Sequence, residues 1–83
     1  MATGVQFTGK LDPGQHKEWF THGWDRDVCV SWSVRPRPGH RGKVALRALT
    51  IEAGTDDTLT YRLTVWNVGS DPIQFDAVYS FTR

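Results

Sequence analysis

The chain has 83 residues, a net charge of +1 and one cysteine, which confines it to a single domain over residues 1–83 with no intrachain disulfide. Near-neutral charge gives no global attraction for nucleic acid or for an anionic membrane surface, and no apolar run is long enough for a transmembrane helix. A domain this short buries a limited core, so a homo-oligomer that covers one more face is expected.

No segment reads as a helix. The chain start, Met1-Ala2-Thr3-Gly4, shows neither the basic nor the apolar region of a signal peptide, and the compartment stays open, a secreted or cell-surface location included. Alternation of Val, Thr, Trp and Tyr with polar residues predicts strands instead. The first covers residues 5–11, with Val5 and Phe7 on one face. It stops at Asp12-Pro13-Gly14, where Pro presets one dihedral and Gly supplies a positive one. The second covers residues 16–21 and ends at Gly23.

The third covers residues 28–35. Val28, Val30, Trp32 and Val34 share one face; Cys29, Ser31, Ser33 and Arg35 share the other. Pro36 ends it, because proline cannot continue a central ladder. The fourth covers residues 43–53, and its phase slips: Val44, Leu46 and Ala48 have one parity, Leu49 and Ile51 the other. A β-bulge near Ala48 and Leu49, or a strand covered on both faces, accounts for this.

After the turn Gly54-Thr55-Asp56-Asp57, the fifth strand covers residues 59–68. Leu59, Tyr61, Leu63 and Val65 face inward, with Arg62, Thr64 and Trp66 opposite. Gly69-Ser70-Asp71-Pro72 leads to the sixth, residues 73–82. There Ile73, Phe75, Ala77, Tyr79 and Phe81 point in, and Gln74, Asp76, Val78 and Ser80 point out. About six strands with regular turn signals predict an all-β fold, a small antiparallel β-sandwich.

Val5-Gln6-Phe7-Thr8-Gly9-Lys10-Leu11-Asp12, then Trp19, then Phe75-Asp76-Ala77-Val78-Tyr79-Ser80-Phe81 resemble the layout of H-type lectins. That resemblance implies a small six-stranded sandwich that assembles as a trimer or hexamer and binds sugars such as N-acetylgalactosamine. H-type lectins usually carry disulfides, and this chain cannot. Trp19-Phe20-Thr21-His22-Gly23-Trp24 and Leu59-Thr60-Tyr61-Arg62-Leu63-Thr64-Val65-Trp66-Asn67 are also similar to segments of short bacterial domains, a likeness that brings no activity with it.

Four Trp, two Tyr and four Phe are many aromatics for this length. Trp24-Asp25-Arg26-Asp27, with His22, is the leading candidate contact site. A sugar ring stacks on an aromatic face while its hydroxyls pair with carboxylates and guanidinium. Trp24 would project its ring at the rim, with Asp25 and Asp27 as acceptors and Arg26 as donor. The competing reading is a turn: Asp caps backbone amides, Arg26 pairs with an Asp, and Trp24 plugs the sandwich end. Trp66 and Arg62 form the second candidate. An outward Trp flanked by Arg62, Thr64 and Asn67 suits a ligand platform or a subunit interface.

Arg35, Arg37, Arg41 and Lys43 make a basic loop that could grip a polyanion, although the aromatics of a single-strand binder are missing from it. His16, His22 and His40 lack zinc-ligand spacing, and no calcium loop is present. Catalytic signatures are absent, and Cys29 reads as a buried or half-buried inert thiol. Neither a metal nor a cofactor is expected. The sequence thus points to a non-enzymatic, lectin-like carbohydrate-binding module acting as an oligomer, with a glycan as partner. The alternatives are an assembly domain whose aromatics join subunits, and a polyanion binder using the basic loop.

Overall fold

A computed structural model describes residues 2–81. It contains six strands: β1 (Ala2–Leu11), β2 (His16–Asp25), β3 (Val30–Pro36), β4 (Val44–Ala53), β5 (Thr58–Asn67) and β6 (Ile73–Phe81). Thr82, the expected end of the sixth strand, lies outside the described residues. No helix among them is long and apolar enough to cross a membrane.

The strands form two antiparallel sheets, ordered β1-β6-β3 and β2-β5-β4. Every connection crosses between sheets except the β4–β5 hairpin. The two central strands, β5 and β6, carry the cleanest alternation and supply most of the core. Tyr61, Leu63 and Val65 from β5 meet Ile73, Phe75 and Ala77 from β6, with Leu11, Val28 and Val30 completing the buried set. The buried Tyr61 hydroxyl accepts the Val30 amide across the sandwich at 3.3 Å, so its polar end is satisfied.

A ring stack fills the space between β1 and β2. Phe7 lies 5.8 Å from Trp19, and Trp19 meets Phe75 edge-on at 5.1 Å. A Cβ at position 9 would fall 2.7 Å from the Phe75 ring and 2.9 Å from Trp19. Glycine is therefore what lets the backbone pass these rings.

Three register breaks change which residues face the core. The first, between Val5 and Phe7, turns Val5 outward, opposite Val78, so Val5 and Phe7 do not share a face as the alternation predicts. The second lies between Thr21 and Trp24, and the third between Leu46 and Ala48. The last is the bulge that the phase slip in the fourth segment predicts, placed at Arg47. Each inserts residues on one strand only, which reverses the parity beyond it.

Asn67, expected on the contact surface with Trp66, is instead fully buried. Its Nδ2 donates to the carbonyls of Leu11 (3.1 Å) and Asp71 (2.7 Å), and its Oδ1 accepts the Gly69 amide (3.0 Å). Its backbone also pairs with Gly14 and Gln15. One side chain thus ties the end of β1 to the β5–β6 loop.

Candidate functional site

The residues expected to bind fall into two groups. His22, Trp24, Asp25, Arg26 and Asp27 lie at the end of β2 and in the turn after it. Arg62 and Trp66 lie on the outer face of β5.

Trp24 does not project at the rim. Gly23 takes a φ of 82°, a conformation that costs a glycine little, and the extra residue in the bulge turns Trp24 inward. Its ring meets Trp32 at 5.6 Å and Tyr79 at 5.5 Å, with Tyr61 and Phe81 slightly further away. Its indole N–H donates to the buried Thr21 hydroxyl at 3.1 Å. The half-buried ring closes this end of the sandwich.

The three charged residues that follow make a turn. The Asp25 carboxylate accepts the Asp27 amide at 2.9 Å, and the Asp25 carbonyl accepts the Val28 amide. Arg26 reaches Asp57 of the β4–β5 turn at 3.0 Å. In that turn the Asp56 carboxylate accepts the Thr58 hydroxyl at 2.7 Å. This bond holds the Asp56 carboxyl below its ordinary value, with a smaller contribution from the charge of His22. These groups hold two turns together, as the competing reading has it. Cys29 follows in the same connection and is exposed, not buried or half-buried as expected, because its buried neighbours Val28 and Val30 face the core and leave it on the opposite side.

The outer face of the β2-β5-β4 sheet gathers a different set. Arg62 stands at its centre on β5. Its Nε donates to Glu52 of β4 at 2.6 Å, and its Nη1 reaches Glu18 of β2 at 3.4 Å. The hydrogen bond to Glu52, then that carboxylate's charge, raises the guanidinium pKa above its ordinary value. Beside it lies Phe20, 61% exposed, with the guanidinium 5.7 Å from its ring centre and His22 stacked 6.2 Å away. Phe20 opposes Arg62 in the β2–β5 register. Sequence reasoning missed Phe20, although its parity in the second segment carries the signal: Trp19 and Thr21 face in, so Phe20 and His22 face out.

Trp66 occupies the same face, four residues further along β5. It is half-buried, and its π-system already has neighbours: His16 stacks on it at 4.1 Å, and the Arg47 guanidinium lies 5.0 Å from its centre. It flanks the Phe20–Arg62 patch but offers less open ring than Phe20.

On the opposite sheet, Asp76 points to the outer face as the alternation predicts, yet it is buried. Arg35 and Arg37 cover it at 3.4 and 3.3 Å, and Thr8 donates to it at 3.1 Å. Two cations of the basic loop are therefore held by one carboxylate. Nearby, an open hollow of about 300 Å³ is lined by Lys10, Asp12, His40 and Gln74 around Leu11 and Ile73. Among the described residues, no three His, Cys, Asp or Glu groups come together in a way that could hold a metal ion.

No protein-family model matches the chain, and no curated protein or solved structure matches it.

Proposed function

We propose that this protein is a non-enzymatic carbohydrate-binding module that contacts its ligand with the outer face of the β2-β5-β4 sheet. The observation that carries this reading is Phe20: an aromatic residue 61% exposed on the outer face of the sheet, beside a Glu18–Arg62–Glu52 triad. The apolar face of a sugar ring stacks on such an aromatic surface. The carboxylates then accept hydrogen bonds from its hydroxyls and the guanidinium donates, with His22 and Trp66 at the margins. Binding rather than catalysis fits an open face, where Glu18 and Glu52 both engage Arg62 and water has free access. The basic loop is the weaker candidate, because Asp76 already holds Arg35 and Arg37.

A glycan array read across a salt series tests this. Neutral glycans should bind, and binding should persist as salt rises. Binding confined to anionic glycans and lost with salt would move the site to the basic loop. An array without a hit would overturn the proposal.

A further inference from the structure

The four edge strands are not equally protected against pairing with another chain. β1 is interrupted by its register break near Val5 and by Gly4 and Gly9. β3 is short and ends in Pro36. β2 carries Lys17 on its inward parity, with the ammonium 5.6 Å from the Trp19 ring. Breaks, proline and inward charge are the usual defences of an exposed edge. β4 has none of them beyond Arg47. From Ala48 to Ala53 it keeps regular register with β5 and contains no Gly, Pro or Lys.

The same stretch has an uncovered apolar surface. Leu49 and Ile51 oppose Leu63 and Tyr61 and so sit on the core-facing side, yet they are 41% and 52% exposed. Val44 and Leu46, before the bulge, pack against the core. Strand twist explains the difference, because it carries the far end of an edge strand away from the opposing sheet.

We infer that a second copy of this chain pairs antiparallel with the β4 edge, with Thr50 on the two-fold axis. That register follows from self-complementarity. It sets Leu49 opposite Ile51 of the second copy, twice, on the core-facing side. It sets Glu52 opposite Ala48 and next to Arg47, a neighbour of opposite charge. Moving the axis to Leu49 puts the bulge in the ladder, moving it to Ile51 replaces both Leu49–Ile51 pairs with Leu49–Ala53, and moving it to Glu52 sets two carboxylates against each other. An isologous contact needs this kind of self-matching patch. The product is one continuous six-stranded sheet. Its axis stands perpendicular to the sheet, so both outer faces point the same way. Two Phe20 platforms then face one surface, which favours a multivalent ligand.

Sedimentation equilibrium across micromolar concentrations is the test, with the wild-type chain, Ile51→Lys, Leu49→Lys and Val5→Lys. Val5, exposed at 46% on β1, is the control for a surface apolar-to-Lys change. Wild type and Val5→Lys should reach twice the 9.4 kDa chain mass. Either β4 variant should raise the dimer dissociation constant about a hundredfold or more, because each dimer receives two substitutions. Circular dichroism selects the variants that remain folded, and two β4 positions guard against one that does not. A wild-type monomer at every concentration, or a dimer that survives both β4 changes, overturns the inference.

Discussion

Replacing Trp24 by alanine separates a ring that closes the sandwich from a ring that serves a ligand. The structure has it packed against four aromatic side chains and bonded to Thr21. Truncating a buried Trp or Phe costs roughly 3–5 kcal/mol. Trp24 is half-buried, which argues for the lower end, about 3 kcal/mol. Thr21 keeps a partner after the change, since Gln6 also donates to its hydroxyl, so no further penalty for an orphaned group is added. In a domain of this size each 1 kcal/mol shifts Tm by about 4–8 °C. Trp24→Ala should therefore melt roughly 12–24 °C below wild type, or fail to fold. Trp24→Phe keeps most of the ring contacts and loses the indole hydrogen bond, a cost of about 1 kcal/mol. Thermal unfolding followed by near-ultraviolet circular dichroism measures both. A Trp24→Ala protein with wild-type Tm would refute the packed position and return the ring to the rim.

Asn67→Ala removes three side-chain hydrogen bonds at a buried position and should cost roughly 2–4 kcal/mol in urea unfolding; a loss well under 1 kcal/mol would mean that the loop is held by other contacts. Asp56 should titrate below 3.8 by carboxyl NMR, and Thr58→Val should bring it back towards that value. Because the folded-state value is depressed, the stabilising contribution of this group is present above the ordinary carboxylate range and is lost as pH falls through the lowered value. Titration of Asp56 at or above 3.8 in wild type would contradict the Thr58 bond.

Much of the fold was legible because two strands are central. β5 and β6 are bordered on both sides and covered on one face, so their apolar residues alternate strictly; burial follows that alternation along Tyr61–Asn67 of β5, while in β6 the outward Asp76 is buried as well. The register breaks were harder to read. The phase slip in the fourth segment betrayed its bulge, since apolar residues mark both parities. The bulge at Gly23 left no such mark, because Thr21 and Trp24 both belong inside and His22 and Gly23 tolerate solvent. The second segment therefore reads as ending at Gly23, which leaves Trp24 open to two readings, a rim position or a plug of the sandwich end. Asp76 reads as an ordinary outward residue; its burial depends on Arg35 of β3 and Arg37 of the loop after it folding over it, which no local pattern encodes. Phe20 was obscured by its neighbours, since an aromatic between Trp19 and Trp24 looks like one more core residue until the parity of the strand is counted.

The most direct test of the Phe20 surface is calorimetric titration of the best array glycan into wild type and Phe20→Ala. Phe20 is 61% exposed, and a surface substitution of this kind changes stability by only about 0.5 kcal/mol, so the two proteins should melt within about 4 °C of each other. We expect Phe20→Ala to bind at least about tenfold more weakly, the equivalent of 1.4 kcal/mol. Equal affinity in two equally folded proteins would contradict a ligand platform on this sheet.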